Sequence, residues 1–481
     1  MTRQPPCDAE PAPRPLLAAA KWVARGVSLE VRNPYNGALV GRVTATTTEL
    51  IDKAVASAAA AVEDDFPAAE RATMLERAAD AVGGAREELA RLIALEVGKP
   101  LKQARGEADR AATTLRFSAV AARTLGGETV PLAAAPTGRG KLGFTIRVPL
   151  GVVGAITPFN FPLNLVAHKV GPAIAAGNAV VVKPAPAAPL SALRLAEILL
   201  ESGLPPERLH VLPGGADIGA ALVDHPDVAA VSFTGSAAVG WQIRAAASRK
   251  TVLLELGSTT PLIVDETADL ERAAAAAAAA GFAYAGQSCI SIQRLLLADE
   301  ISSAFLDLFV QRVAQLVVGD PLDERTDVGP LIDARSCARV KSWIDSAVAE
   351  GASVLAGGNV NDDGTLTPTV LLSPRHHDDV WRKEIFGPVV VVETFSSFDE
   401  AVALANDADF GLQAGIFTRD LGRALDAVRR LRYGGVVVND VPTTRVDNQP
   451  YGGVKDSGNT REGPIYAARE LSEERFVSLE P

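Results

Sequence analysis

The residues of this chain that could do covalent or proton-transfer chemistry are few, and they cluster at breaks in its patterning. Cys289 lies in the stretch Gly281 to Arg294, GFAYAGQSCISIQR, and is one of three cysteines in 481 residues. The alanine-rich run Arg272 to Ala280 has the composition of a buried helix, and Gly286-Gln287-Ser288 interrupts it. A thiol just past such a break is held on a loop by a rigid helix, a placement that suits a nucleophile. Taken alone, a single cysteine is more often an inert small core residue. Glu255 ends an apolar run before Leu256-Gly257, where a partly desolvated carboxylate could act as a general base or form a structural ion pair. Asn160, between Phe159 and Phe161, could donate to a developing oxyanion or cap the helix that starts at Leu163. Lys183, before Pro184, could bind ribose hydroxyls or phosphate, or reach to solvent. Gly235-Ser236 precedes a helical pattern whose free N–H groups would seat a pyrophosphate, although the sequence there is not G-x-G-x-x-G. Glu384, in Glu384-Ile-Phe-Gly-Pro388, reads by itself as a turn residue.

The elements that must position these residues can be read from hydrophobic periodicity. Asn36-Gly37 marks a turn between short strands, and Thr47 to Gly98 is helical, with a further helix to about Thr124. Arg105, Asp109 and Arg110 read as a solvated, salt-bridged helix face. Gly126 to Arg147 is a turn-rich hairpin. From Val152 the pattern alternates: strands at Val152 to Thr157, Asn178 to Lys183, Leu209 to Leu212, Val228 to Phe233 and Thr251 to Leu254 are separated by helices. Strands this apolar imply a parallel, doubly wound sheet with ligands at the carboxyl ends of its strands. A second α/β region follows. Its strands are expected at Arg294 to Ala298, Ser353 to Ala356, Val389 to Thr394, Ala414 to Thr418 and Gly434 to Asn439. Its helices are expected at Ile301 to Val318, Ala334 to Glu350, Phe398 to Ala405 and Leu421 to Leu431. The tail, Ala467 to Leu479, could return to pair with the hairpin.

Composition narrows the class. The length predicts two or three domains. A net charge of −11 and a pI near 5.2 argue against nucleic-acid binding. Cys7, Cys289 and Cys337 are widely spaced and odd in number, which fits a reducing compartment rather than a disulfide framework. Five histidines argue against a zinc centre, and no metal site is expected. No run reaches the length of a membrane span, and Leu16 to Ala20 is too short for a signal sequence. The expectation is a cytoplasmic protein whose first 15 residues form a loosely ordered tail.

In order, TPFNFP, a strand ending in KP, FTGS, LELG, GQSC, EIFGP and YGGVKDSG run from Thr157 to Gly458. This ordered set resembles the NAD(P)-dependent aldehyde dehydrogenase superfamily over nearly the whole chain. The resemblance implies an α/β fold with a Rossmann-like cofactor domain (1–125 and 148–255) and a catalytic domain (256–460). It also implies a β-hairpin oligomerisation flap (126–147 and 465–481), and hence a homodimer or homotetramer. It implies Cys289 as nucleophile, Asn160 as oxyanion donor and Glu255 as the base that activates water against a thioester. NAD or NADP would be held by Lys183, Gly235, Ser236 and Glu384 and walled by Ile156, Phe159, Leu256 and Phe386. Lys169 and Glu462 match positions proposed for a proton relay. The substrate would be a small polar or anionic aldehyde, oxidised to its acid by hydride transfer through a thiohemiacetal and thioester.

Five features set against the family pattern carry information. Many NAD-dependent members have glutamate three residues after the lysine; here Pro186 stands there, so NADP⁺ should be accepted at least comparably to NAD⁺. Ser258 replaces a commoner glycine, which resembles a sub-branch acting on small oxygenated or anionic aldehydes. Asn459 and Thr460 place unusual polar side chains near the mouth of the site. Arg445 falls near the substrate entrance, where it could pair with a carboxylate, sulfonate or phosphonate or, alternatively, with Asp447 or solvent. Ser288 is neutral, which speaks against phosphate recognition. Two alternatives compete. A CoA-acylating semialdehyde dehydrogenase is disfavoured by Glu255, and a silent binding protein of the same fold by the full set Asn160, Glu255, Cys289 and Glu384.

Overall fold

A computed structural model describes residues 12–480. Cys7 and most of the expected tail lie outside the described residues. Arg14, at the end of that tail, bridges to Val43.

The first sheet has seven strands in the order Thr251–Glu255, Val228–Thr234, Val152–Ile156, Ala179–Lys183, Leu209–Val211, Leu16–Ala18 and Lys21–Val23. The first five pair in parallel, as their continuous apolar character predicts. All five residues of Ala179–Lys183 are buried, and burying each valine contributes about 1.5–3 kcal/mol. The last two strands correct the all-parallel expectation: Leu16–Ala18 joins antiparallel to Leu209–Val211, and Lys21–Val23 closes a short hairpin on it. A two-strand extension caps the sheet edge that would otherwise expose unpaired backbone.

Helices cover both faces. Ala68–Gly84, Leu101–Thr124, Asn164–Ala175 and Pro189–Glu201 supply one core. Thr48–Glu63 and Ala216–Asp224 supply the other.

The second sheet runs Ser353–Ala356, Thr369–Leu372, Val389–Phe395, Arg294–Ala298, Pro261–Val264, Gln413–Phe417 and Gly435–Val438. Only the first pair is antiparallel. Two of its strands, Pro261–Val264 and Thr369–Leu372, were not expected, because each is four residues long and flanked by polar turns. The helix expected to reach Val318 ends at Val313. Beyond it the backbone of Val317 and Val318 turns to bond Asp327 and Val328 instead.

A third, three-stranded sheet stands apart. Ser472–Leu479 pairs antiparallel along all of Leu142–Pro149, which also pairs with Thr129–Val130. The tail thus returns to the hairpin as its sequence suggested. Leu142, Phe476 and Leu479 are about half exposed on this sheet.

No described helix is long and apolar enough to cross a membrane. Among the described residues no group of three or more His, Cys, Asp or Glu side chains is placed to hold a metal ion.

Candidate active site

Strand Val152–Ile156 lies where the winding of the first sheet reverses, between Val228–Thr234 and Ala179–Lys183. Crevices form at the carboxyl ends of strands at such a point. Here the crevice is a cavity of about 510 Å³ between the two large sheets. Ile156, Phe159, Asn160, Lys183, Gly235, Ser236, Glu255, Leu256, Cys289, Glu384 and Phe386 all line it.

The loop carrying Cys289 is shaped by its backbone. Helix Leu270–Phe282 starts with the Asp269 side chain accepting from the Arg272 N–H, then gives way to a turn at Ala283–Gly286. Tyr284 and Ala285 there take φ of 49° and 52°, a left-handed conformation that is unfavourable for residues with a Cβ. Packing holds the strain: the Tyr284 hydroxyl donates to the Val97 carbonyl at 3.0 Å, and its N–H donates to Gln103 Oε1 at 2.8 Å. The Lys99 ammonium sits over the rings of Phe161 (3.7 Å) and Tyr284 (4.6 Å), tying the Asn160 loop to the Cys289 loop. Lys99 in turn pairs with buried Glu107, whose other oxygen accepts the Leu163 and Asn164 N–H groups. Glu107, not Asn160, therefore caps that helix. The Asn160 amide instead donates to the Gln287 carbonyl at 2.9 Å, two residues before the thiol.

Cys289 is partly exposed to the cavity. Burial among protein atoms pushes its thiol up to about 12, against the hydrogen bond from Tyr451 and the charge of Arg445. The sulfur lies 3.1 Å from the Tyr451 hydroxyl.

Two buried glutamates behind the thiol behave oppositely. Glu255 has no hydrogen-bond partner on either carboxylate oxygen, so the ion-pair alternative is not realised. Burial, and then the negative charge of Glu462, push it well above the carboxylate range, with Arg445 and Lys169 opposing. Glu462 is just as buried, but His168, Arg445 and Lys169 outweigh the burial and hold it at about 2. A Cβ on Gly452 would lie 2.9 Å from a Glu255 oxygen, so this glycine is what lets the chain pass so close to the base. Lys169 donates to Ser232 Oγ at 3.0 Å behind Glu255.

Arg445 corrects both bland expectations. It is neither solvated nor paired with Asp447. It donates to Glu462 Oε2 at 2.7 Å, its guanidinium carbon lies 3.8 Å over the Tyr451 ring, and its side chain is 7% exposed. Its Nε has no partner. Asp447 is held by Arg110 at 2.7 Å and contacts His168 Nε2 at 3.1 Å. Arg105 and Asp109 are surface ion-pair residues as expected, on Glu87, Glu324 and Arg86. Arg110, expected on the same face, instead lines the cavity. Asn459 and Thr460 are not at the mouth. Asn459 bonds the backbone of Val252 and Leu254, and Thr460 bonds Glu470.

The opposite arm of the cavity is quieter. Ser236 is the N-cap residue of helix Ala237–Ala246, yet its hydroxyl makes no cap bond, which leaves the helix N-terminus facing the cavity free for an anion. Lys183 is 7% exposed and does not reach bulk solvent; burial lowers its pKa against the pull of Asp217. Glu384 accepts from the Ser258 N–H at 3.2 Å, and burial brings it up to about 7. A Cβ on Gly257 would fall 2.3 Å from its carboxylate, so only glycine admits this approach. Phe159 and Phe386 meet edge to face at 5.9 Å. A free helix N-terminus, a lysine, a buried carboxylate and apolar walls fit a dinucleotide: pyrophosphate, ribose hydroxyls and a flat ring.

Sequence reasoning assigned no role to Tyr451 or His168, and read Arg110 as part of a solvated, salt-bridged helix face, whereas it lines the cavity and pairs with Asp447. Tyr451 stood within YGGVKDSG, and its hydroxyl was the available signal. His168 and Arg110 gave none, because their partners lie hundreds of residues away.

Comparison with known proteins agrees with this geometry. Residues 22–477 match the model of the aldehyde dehydrogenase family. A 3-sulfolactaldehyde dehydrogenase from Priestia megaterium is 45% identical over 465 residues, covering 96% of this chain and 97% of that one. Aldehyde dehydrogenase 21 from Physcomitrella patens, solved with the reaction product succinate, superposes with a TM-score of 0.95 at 37% identity over 98% of this chain and 99% of that one. Glyceraldehyde-3-phosphate dehydrogenase from Methanocaldococcus jannaschii, complexed with NADP, gives 0.91 at 37% identity over 95% of this chain and 100% of that one. With its fold, its cavity and its sequence in agreement over nearly its whole length, the chain belongs to the aldehyde dehydrogenase family.

Proposed function

We propose that this enzyme oxidises a small aldehyde bearing an anionic group at its far end, and that Arg445 receives that group. The observation that carries this reading is the Arg445 side chain: it is nearly buried, lines the same cavity as Cys289, and has an Nε–H without an acceptor. A buried donor without a partner is costly, and an oxyanion would satisfy it. The three relatives described above are named for, or solved with, molecules bearing a sulfonate, a carboxylate or a phosphate.

In this reading Cys289 attacks the aldehyde carbon, and the oxyanion is held by the Asn160 amide and the Cys289 backbone N–H. The bound nicotinamide coenzyme supplies the hydride acceptor. Glu255 takes a proton from water as it attacks the thioester, and its unpartnered oxygens favour hydrolysis over acyl transfer to CoA. Lys169 and Glu462 lie behind Glu255 and carry the proton onward. Lys183, Ser236 and Glu384 hold the coenzyme, and Ile156, Phe159, Leu256 and Phe386 wall it. The first sheet forms the coenzyme domain and the second the catalytic domain. The three-stranded sheet, with its half-exposed Leu142, Phe476 and Leu479, is the surface for a homodimer or homotetramer in the cytoplasm.

A panel of short aldehydes tests the substrate class, with reduced coenzyme followed by absorbance. Aldehydes ending in sulfonate or carboxylate should exceed neutral isosteres in kcat/KM by about tenfold or more, the value of one charge-assisted hydrogen bond. Arg445→Ala should raise KM for the anionic members and not for the neutral ones, on top of a loss in kcat common to both sets through its contact with Tyr451. An equal change in KM on both sets would remove the assignment.

A further inference from the structure

Tyr451 is the one side chain in hydrogen-bond reach of the Cys289 sulfur among the described residues, at 3.1 Å, and its hydroxyl makes no other hydrogen bond. Its ring is 3% exposed and packs with Ile290 and Leu412. Its backbone exchanges both hydrogen bonds with Glu462, which fixes the main chain that carries the phenol. The Arg445 cation, fixed by Glu462, covers the ring face at 3.8 Å. A cation on the face of a phenol draws electron density from the ring and makes its O–H a stronger donor.

We propose that Tyr451 is a further catalytic residue: its hydroxyl, polarised by Arg445, donates to the Cys289 sulfur whenever that sulfur carries negative charge. This rests on Cys289 being the nucleophile. The bond matters at two moments. Before attack it stabilises the thiolate. When the S–C bond forms, the carbonyl pair moves to oxygen and the sulfur loses its charge, so the donor is no longer needed there. In hydrolysis water adds to the thioester carbon and its proton goes to Glu255. The C–S bond then breaks with its pair going to sulfur, and Tyr451 donates again.

The charged and titratable groups facing the pair are Glu255 at the end of strand Thr251–Glu255, Glu384 on the turn after Arg382, and Arg445 and Glu462 on the C-terminal loops. The two glutamates nearest the sulfur, Glu255 and Glu384, oppose thiolate formation and Arg445 favours it. Tyr451 is the neutral donor that favours the thiolate, and burial keeps the phenol protonated.

The test is alkylation of Cys289 by iodoacetamide across about pH 6 to 10, quantified at that residue by mass spectrometry, in the parent and in Tyr451→Phe. The variant keeps the ring, its packing and the stacked arginine. Removing the donor should raise the thiol pKa by about one unit, so the alkylation rate at any fixed pH below the midpoint falls about tenfold. Pre-steady-state release of reduced coenzyme should slow in parallel, with the melting temperature unchanged. Superimposable alkylation profiles, or a faster variant, would overturn the proposal. Cys289→Ser separates this from the reading beneath it: a serine variant that still turns over removes the nucleophile assignment itself. An inactive serine variant beside an unaltered Tyr451→Phe removes only the role of Tyr451.

Discussion

The two arms of the cavity are built on different principles. The arm to which we assign the coenzyme uses local backbone features: the end of a strand, Gly235, a helix N-terminus at Ser236, and a glycine at 257 that admits Glu384. Few of its groups touch one another. The arm assigned to the reaction sets unpartnered Glu255 beside a hydrogen-bonded polar chain that runs from Glu462 through Arg445 and His168 to Asp447 and the partly exposed Arg110. What separates them is how charge is managed. On the coenzyme side the buried groups stand apart and do not bond one another. On the reaction side the groups tune each other, so two glutamates in one neighbourhood are shifted in opposite directions. A base must be able to hold a proton, whereas an anchor for Arg445 rests ionised and takes a proton only in passing.

That contrast is broken most severely at Glu255. Glu255→Gln should leave the first turnover intact and halt the second. A burst of about one equivalent of reduced coenzyme per active site should precede a steady rate lowered by about 10²–10⁴-fold, the usual contribution of general base catalysis. Stopped-flow absorbance reads both phases, and absence of a burst would mean Glu255 acts before the thioester forms. A smaller effect is expected across the coenzyme arm. With Pro186 where a carboxylate would repel a 2′-phosphate, kcat/KM for NADP⁺ should at least match that for NAD⁺. A preference for NAD⁺ beyond about a hundredfold, some 2.7 kcal/mol, would show that another group excludes the phosphate. The smallest effect concerns Glu384. With its pKa near 7, its ionised form accepts ribose hydroxyls better than its protonated form. KM for coenzyme should therefore fall a few-fold as pH rises through about 7, and Glu384→Gln should flatten that profile.

Much of the coenzyme arm was legible in the sequence because its signals are local. An apolar run ending in Lys183, or Gly235-Ser236 before a helix, announces a strand end or a helix start within a few residues, and the apolar strands fix a parallel sheet that places such ends side by side. The strands Pro261–Val264 and Thr369–Leu372 escaped because each emerges from a polar, proline-bearing run, Ser258-Thr-Thr-Pro261 and Thr365-Leu-Thr-Pro368, that reads as a turn. The N-terminal pair Leu16–Ala18 and Lys21–Val23 escaped because strands of three residues are stable only against a sheet edge formed elsewhere.

The reaction arm divides the same way. Sequence by itself determined that Cys289, Glu255 and Asn160 stand at breaks between elements, since glycine, proline and the end of an apolar run dictate those breaks locally. Only the tertiary structure decided that Arg445 binds Glu462 rather than Asp447 and that Arg110 takes Asp447 across 337 residues. It also decided that Glu107 caps the helix after Asn160, which frees the Asn160 amide for the Cys289 loop. The physical reason is desolvation: a buried charge must find a partner, and which partner is nearest depends on how the sheets and helices pack.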